Sequence, residues 1–344
     1  MRAIAGLSLA FALLLSAAPS GQTKAKAQHV PEIPFESVPD FLKMPAGLYL
    51  GEGIGVATNS HGHVFVYTRS SETRLFEFDA SGRFVREIGQ GLYGFAFAHA
   101  VRVDAQDNIW IVDEGTNMVV EFSPAGKVLM VLGRRPDPME QFAALPGNGG
   151  YSGANRPYSF SRPTDVAWDA EGDIFVSDGY GDSRIVKYDK NGRFVKSAGT
   201  RGTAPGQLNL PHTMAADAQG NLYIGDRSNA RVQVWDKDLN FKTIYDTVGS
   251  PWTVCVSPGP HQYLFVSNSS PDSNDSRTAA DTGEIYKMEL DGTILGRFGK
   301  AGKALGEFST VHGIDCRNPD ALIVSEITTW RVQKILLHPP AAGR

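Results

Sequence analysis

HAVRVDAQDNIWIVD, residues 99–113, sets a pattern that recurs along this sequence of 344 residues. HTMAADAQGNLYIGD, residues 212–226, and HGIDCRNPDALIVSE, residues 312–326, repeat the pattern, and each begins with a histidine. In all three, a polar turn separates two runs rich in apolar residues, as in two antiparallel strands joined by a tight turn. The sequence therefore predicts a repeat protein that is built from β-hairpins.

Three further copies alternate with these and lack the histidine. They begin at Gly55 in GVATNSHGHVFVYTR, at Thr164 in TDVAWDAEGDIFVSD and at Trp252 in WTVCVSPGPHQYLFVSN. After the hairpin, the copies continue with further short apolar runs that are separated by turn dipeptides such as Asn191-Gly192. Four short strands in a repeat of about 40–60 residues are typical of a propeller blade. Six repeats predict an all-β fold, a six-bladed β-propeller.

The last repeat leaves room for only three strands before the sequence ends. It finishes near His338, and residues 30–50 are the segment that we expect to supply the missing outer strand. Such a strand would close the ring and remove an exposed sheet edge.

The N-terminus is typical of an exported protein. Arg2 precedes the apolar run 3–18, which predicts a secretory signal peptide within residues 1–27, with cleavage between Ala18 and Ala27. The remaining residues, 28–344, are expected to form a single propeller domain that is secreted or periplasmic. No later stretch reaches the roughly 18 apolar residues of a membrane span. A net charge of -4 gives no basic surface for nucleic acid.

Cys255 and Cys316 are the two cysteines of the sequence. Aligning their repeats puts them at different positions, and this favours two free buried thiols over a disulfide.

The three histidines predict a metal site. In a closed ring of six blades, His99, His212 and His312 would lie about one third of a turn apart and point at one axis. Three imidazole ligands without a fourth protein ligand are typical of catalytic zinc sites, which keep one position open.

Ionisable side chains are predicted at the same mouth of the channel, because the second strand of each hairpin returns to the level at which the first began. Counting fourteen to sixteen residues from the repeat starts gives Arg69, Asp113, Asp178, Gly179, Tyr180, Asp226, Arg227 and Glu326. The two arginines could bind a carboxylate in a bidentate manner. Positive charge nearby would lower the pKa of Tyr180 and make its phenolate a general base. The aspartates, which recur at one position, are expected to bind strand-end amides.

Two motifs resemble a known enzyme family. SDGYGDSRIV and the pair LPH and GDRSNAR, within residues 162–235, are similar to the lyase domain of peptidylglycine α-amidating monooxygenase, and weaker similarity covers residues 45–338. That domain, peptidyl-α-hydroxyglycine α-amidating lyase, is a six-bladed propeller related to NHL repeats. The resemblance implies that His99, His212 and His312 bind zinc, that Tyr180 is the catalytic base, and that Arg227 and Arg69 are active-site arginines. It also implies cleavage of a C–N bond that gives a peptide amide and glyoxylate.

The sequence departs from this family at two positions. Gly313 stands where the family has a calcium-binding aspartate, which puts a calcium ion in doubt, and Gly181 replaces a disulfide cysteine. We expect a monomer that acts on a small molecule or peptide carrying a carboxylate. The alternatives are another metal-dependent propeller enzyme, such as a lactonase-type hydrolase, and a non-enzymatic NHL-repeat binding protein.

Overall fold

Strands arranged in six separate sheets make up the fold. The computed structural model describes residues 24–137, 156–269 and 281–338. These ranges contain 24 strands in six antiparallel sheets of four, and their only helical segment is a short 3-10 helix, Arg227–Asn229. None of their helices is long and apolar enough to cross a membrane. The predicted all-β six-bladed propeller is confirmed.

Blades 1 to 5 are continuous in sequence. Blade 1 contains β2–β5, at Glu52–Thr58, Val64–Arg69, Arg74–Phe78 and Phe84–Ile88. Blade 2 contains β6–β9, at Ala98–Val103, Ile109–Asp113, Met118–Phe122 and Val128–Gly133. Blade 3 contains β10–β13, at Asp165–Trp168, Ile174–Asp178, Arg184–Tyr188 and Phe194–Ala198. Blade 4 contains β14–β17, at Pro211–Ala216, Leu222–Asp226, Arg231–Trp235 and Phe241–Tyr245. Blade 5 contains β18–β21, at Pro251–Val256, Tyr263–Asn268, Glu284–Glu289 and Ile294–Phe298.

Blade 6 joins the two ends of the described chain. Its strands β22–β24, at Val311–Asp315, Ala321–Glu326 and Arg331–Leu337, are completed by β1, at Phe35–Val38. β1 pairs antiparallel with β24, so that Phe35 lies opposite Leu337. The first strands of neighbouring blades contact one another around the ring, including those of blades 1 and 6. The predicted closure by residues 30–50 is therefore confirmed.

The apolar core lies between the blades. Strand residues alternate between the two faces of a sheet, and both faces of each blade are covered by a neighbour. In β3, Phe65 and Tyr67 pack against blade 2, whereas Val64 and Val66 belong to the cluster shared with blade 6. This explains why the strands of the hairpins are apolar at nearly every position.

A disulfide joins blades 5 and 6. Cys255 and Cys316 are bonded and their Cα atoms lie 6.1 Å apart, so the prediction of two free thiols was wrong. The two cysteines occupy adjacent rather than equal repeat positions, and adjacent positions point to opposite faces of a blade. Because neighbouring blades pack face to face, side chains from opposite faces meet. The one-position difference between the two cysteines argued against a bond when their repeats were aligned. In the folded ring, the same difference brings their side chains together.

The first blade is offset by one residue from the predicted alignment. A bulge in each of β2 and β6 leaves one residue outside the strand pairing, and this residue is Ile54 in blade 1 and His99 in blade 2. Ile54, not Gly55, is therefore the equivalent of His99. Arg69 consequently lies one position beyond Asp113 and aligns with Glu114.

The N-terminal segment packs against blades 4 and 5. Residues 1–23, which include most of the predicted signal peptide, lie outside the described residues. Ala25 is only 2% exposed, and the Ala27 amide donates a hydrogen bond of 3.0 Å to the Thr247 carbonyl.

Candidate functional site

Three histidines meet on the axis of the ring. The ring centres of His99, His212 and His312 lie 4.7 Å apart in every pair. One ring nitrogen of each lies within 4.8 Å of the others. Blades 2, 4 and 6 supply one imidazole each, as the repeat predicts.

β-bulges aim these side chains into the channel. The residues on either side of His99, Ala98 and Ala100, pair with Asp113 and Val112, which leaves His99 as the extra residue of the first strand. His212 and His312 take the same place in blades 4 and 6. An extra residue bends a strand locally and redirects its side chain, and such bulges are common beside functional sites.

Carbonyl groups of the intervening blades orient the three imidazoles. The Nδ1 atoms of His99, His212 and His312 lie 2.6, 2.5 and 3.0 Å from the carbonyl oxygens of Thr164, Trp252 and Ile54. A carbonyl only accepts, so Nδ1 carries the proton and Nε2 is left with its lone pair. The odd-numbered blades thus fix the tautomer of the histidines that the even-numbered blades contribute.

The donor set fits a transition metal ion. The Nε2 atoms of His99 and His312 are buried and have no hydrogen-bond partner. Burial holds the pKa of each of the three imidazoles well below its usual range, so they are neutral near pH 7. Neutral imidazoles fixed by carbonyl acceptors are the usual ligands of zinc. The three Nε2 atoms would hold such an ion.

A calcium ion at the position of the family's aspartate does not fit. Gly313 offers no side-chain ligand, and a Cβ atom added there would lie 2.6 Å from Ser325 Oγ and 3.1 Å from the Val56 amide nitrogen, so a carboxylate would require these neighbours to move. Further along the channel, the guanidinium of Arg102 binds Asp165 through Nε at 2.9 Å and Nη2 at 2.5 Å. Among the described residues, the three histidines are the only group of three or more potential ligands that comes together.

Four side chains of successive blades surround the metal site at one level. The amides of Glu114, Tyr180 and Arg227 donate to carbonyls of their own blades, those of Phe97 at 2.9 Å, Arg162 at 3.3 Å and Leu210 at 3.2 Å. Arg69 takes the same position in blade 1, where it pairs with Glu52. Tyr180 and the two predicted arginines therefore share one mouth with the histidines, together with Glu114.

Tyr180 lies directly beside the metal ligands. Its hydroxyl is 3.5 Å from His212 Nε2, and its ring centre is 5.5 Å from that of His99. Burial raises the pKa of the phenol above its usual value, and the charges of Arg227, Arg69 and Arg162 only partly oppose this effect. The guanidinium groups alone do not produce the low phenol pKa predicted from the sequence. A lowered value requires the charge of a bound cation as well.

The two arginines differ in their surroundings. The Arg227 guanidinium carbon lies 5.7 Å from the Tyr180 ring centre, and within the described part of the chain no carboxylate pairs with it. Arg69 Nε binds Glu52 at 2.8 Å, and its guanidinium carbon lies 3.9 Å above the Phe97 ring. Arg227 is the better placed of the two to bind an anion.

The other residues predicted at this mouth are structural. Asp113, Asp178, Asp226 and Glu326 are fully buried and accept backbone amides of the loops that enter their blades. A Cβ atom on Gly179 would lie 2.2 Å from the Pro211 carbonyl oxygen, so a side chain has no space there. The expectation that the three aspartates bind strand-end amides is confirmed, and Glu326 has the same role in blade 6.

Three residues of the mouth were not singled out from the sequence as functional. Glu114 occupies the same ring position as Arg227, but the count from the repeat start ended on Asp113. Arg162 lies in an entry loop, and its guanidinium carbon is 4.4 Å from the Tyr180 ring centre. The ring of Trp252, recognised only as a repeat start, packs against His212 with 5.1 Å between ring centres. Glu114 lies fifteen residues after His99, as Arg227 lies fifteen residues after His212, so the same count identifies it.

Comparisons with known proteins show which families this chain is similar to. The NHL repeat family matches residues 208–235. The peptidyl-glycine alpha-amidating monooxygenase A of Xenopus laevis is 32% identical over 230 residues, 62% of this chain and 23% of the relative. The probable peptidyl-alpha-hydroxyglycine alpha-amidating lyase pgal-1 of Caenorhabditis elegans is 28% identical over 217 residues, 56% of this chain and 57% of the relative.

A third relative covers more of the chain. The human NHL repeat-containing protein 3 is 28% identical over 303 residues, 83% of this chain and 80% of the relative. By contrast, the chain spans about a quarter of the length of the Xenopus monooxygenase and just over half that of the Caenorhabditis protein. The six blades and the NHL repeat show that the chain is an NHL-like six-bladed propeller, and the proteins it is similar to include peptidyl-α-hydroxyglycine α-amidating lyases.

Proposed function

We propose that this protein is a zinc-dependent lyase that cleaves the C–N bond of an N-acylated α-hydroxyglycine, such as a peptidyl-α-hydroxyglycine. The products would be an amide and glyoxylate. The proposal rests on one juxtaposition. Three imidazoles whose Nε2 atoms face one another share a mouth with a phenol 3.5 Å from one of them and with a guanidinium that has no carboxylate partner among the described residues.

The residues of the mouth have distinct parts in this reaction. Arg227, assisted by Arg69, would bind the substrate carboxylate through paired hydrogen bonds and thereby direct the α-hydroxyl towards Tyr180. Zinc bound by the three imidazoles would supply a Lewis acid beside that hydroxyl. Tyr180, as the phenolate, would accept the hydroxyl proton as general base.

Cleavage of the substrate C–N bond then needs no further reactant. The electron pair of the O–H bond forms the carbonyl group of glyoxylate while the C–N bond breaks. The departing amide nitrogen takes the proton back from Tyr180. Electrons and protons balance, so the reaction requires no oxidant and no water.

We also propose that the protein is exported and that it is a monomer. A mature protein that begins before Ala25 is favoured over cleavage after Ala27, because Ala25 is 2% exposed and its loss would uncover apolar surface of blades 4 and 5. N-terminal sequencing of the exported protein would test the cleavage position. A mature chain that begins at Gln28 would contradict cleavage before Ala25. The mass of the exported protein in solution would test the monomeric state.

Two measurements on the purified protein test the function. We expect about one zinc ion per chain and release of glyoxylate from α-hydroxyhippurate, an N-acylated α-hydroxyglycine. His212→Ala should lose both properties, and Arg193→Gln, at an exposed position of blade 3, should keep both. A metal-loaded protein that hydrolyses lactones but releases no glyoxylate would support the lactonase alternative. A protein that binds no metal would support the NHL-repeat binding protein.

A further inference from the structure

Glu114 and Arg162 form an ion pair beside Tyr180 that the proposed reaction does not use. Nε of Arg162 donates to Oε1 of Glu114 at 2.8 Å, and Nη2 donates to the same oxygen. Glu114 is only 3% exposed, although its carboxylate lies in a mouth where ligands enter. A buried carboxylate is costly unless it is paired, so this contact favours one position of the Arg162 guanidinium, although the Arg162 side chain as a whole is 57% exposed.

Arg162 in turn contacts both the backbone and the ring of Tyr180. Its guanidinium carbon lies 4.4 Å from the ring centre, within the range of a cation–π contact. Its carbonyl oxygen accepts the Tyr180 amide at 3.3 Å. The ion pair therefore links blade 2, which carries Glu114, to the tyrosine of blade 3.

The backbone of Arg162 is fixed as well. Its φ of 63° lies in the left-handed region, which non-glycine residues seldom adopt. The side chain of Asn117, which is 8% exposed, accepts the Arg162 amide at 2.8 Å and holds this conformation. Blade 2 thus positions Arg162 from both ends, through Asn117 at the backbone and through Glu114 at the guanidinium.

This arrangement occurs where the mouth carries a tyrosine. The positions equivalent to Arg162 in blades 2 and 4 are Phe97 and Leu210, which form no ion pair. In blade 1 the equivalent residue is Glu52, which pairs with Arg69 of its own blade, whereas Arg162 pairs with a residue of the neighbouring blade. Tyr180 lies in a loop one residue longer than those of blades 2 and 4, so its ring is not held by the strand pairing alone. The ring is held by other side chains, and it contacts the rings of His99 and His212 on one side and the guanidinium of Arg162 on another.

We propose that Glu114 and Arg162 act together as positioning residues, holding the ring of Tyr180 against the metal centre. This inference rests on the proposed function for its kinetic consequence. Mutation of a group that orients a metal ligand typically lowers activity about ten- to hundredfold, and we expect a loss of similar size for a group that orients Tyr180. The effect should appear in kcat, because the substrate carboxylate is bound by Arg227.

Kinetics of Arg162→Gln, Glu114→Gln and the double variant test the inference. We expect each single variant to lower kcat about ten- to hundredfold with little change in KM. The double variant should be no worse than the single ones, because the pair acts as one unit. Zinc content should stay at the wild-type level, and Arg193→Gln is the matched control in the same blade. An increase in KM with kcat unchanged, or no change in either, would overturn the inference.

A crystal structure of zinc-loaded Arg162→Gln gives a test that does not depend on activity. The Tyr180 ring should be displaced or occupy several conformations, whereas it should be fixed in Arg193→Gln. A Tyr180 ring that stays in place overturns the inference. The crystal structure tests the inference even if the wild-type protein releases no glyoxylate. That result would refute the proposed function, but not the positioning of Tyr180 by Glu114 and Arg162.

Discussion

The guanidinium carbon of Arg227 lies 4.1 Å from the centre of the Trp252 ring. Trp252 belongs to the next blade, and its carbonyl oxygen accepts the Nδ1 proton of His212. One residue thus orients a metal ligand through its backbone and an anion-binding group through its side chain. Because the indole stacks on one face of the guanidinium, the edge that carries the N–H donors stays available for a carboxylate.

Arg227→Ala should therefore impair the enzyme more than Arg69→Ala, whose charge is already paired with Glu52. A hydrogen bond to a charged group contributes about 1.5–3 kcal/mol, which corresponds to roughly a 10- to 150-fold loss in kcat/KM. The loss should largely disappear with a substrate analogue whose carboxylate is replaced by an amide. Equal losses for the acid and the amide would show that Arg227 does not bind the carboxylate.

Tyr180→Phe should keep the fold and the metal and lose turnover. The change removes one hydroxyl group and retains the ring that packs against His99, so stability and zinc content should match the wild type. Loss of a general base typically lowers the rate about 10²- to 10⁴-fold. Steady-state release of glyoxylate by the two zinc-loaded proteins measures the difference. Full activity in the variant would exclude proton transfer by Tyr180.

Metal binding should lower the pKa of the Tyr180 phenol. In metal-free protein, burial holds this pKa above its usual value, so the phenol should remain protonated through pH 10. The charge of bound zinc favours the phenolate and should move its ionisation to lower pH. Ultraviolet difference titration of wild type against Tyr180→Phe, with and without zinc, measures the shift. Titration at the same pH in both states would contradict it.

The stability of the metal-free protein should fall as the pH decreases below about 6.5. The folded-state pKa of each metal-site histidine lies well below that value, whereas the unfolded chain binds protons there. Each histidine should contribute a slope of about 1.4 kcal/mol per pH unit between its folded and unfolded pKa values. Denaturant unfolding of wild type and His99→Gln checks this prediction, and the variant should show the smaller slope. Equal slopes would mean that His99 is not buried in its neutral form.

The Cys255–Cys316 disulfide should contribute to global stability. It closes a loop of 61 residues between blades 5 and 6, for which chain entropy predicts about 4 kcal/mol. Reduction should lower the denaturation midpoint of the wild type. The midpoint of a variant with both cysteines replaced by alanine should be insensitive to reductant. A wild-type protein that is equally insensitive would show that the bond does not form in solution.

The repeat made much of this architecture predictable. The recurrence of short apolar strands separated by turns and the spacing of His99, His212 and His312 predict six blades and a metal axis, because both follow from a periodic pattern. The prediction was less exact where a bulge or an insertion changes the count. Ile54 is offset from Gly55 for this reason, and Tyr180 lies in a loop with one additional residue. Glu114, by contrast, was overlooked although it lies as far from His99 as Arg227 does from His212.

Contacts between different blades were harder to predict from the sequence. The Cys255–Cys316 bond depends on which faces of two blades meet, and a comparison of register positions does not provide this information. The pKa of Tyr180 depends on a balance between desolvation and the charges of several loops. The repeat alignment indicates which charged residues lie near Tyr180, but not how deeply its phenol is buried.

The alternation of imidazoles and carbonyls involves every blade in a single coordination site. His99, His212 and His312 come from blades 2, 4 and 6, and the carbonyls that orient them come from blades 3, 5 and 1. No fragment with fewer than six blades can complete this arrangement. Opening of the ring between any two neighbouring blades would therefore disrupt the site, so a loss of metal affinity should accompany any loss of ring closure, and metal affinity becomes a measure of the integrity of the whole fold.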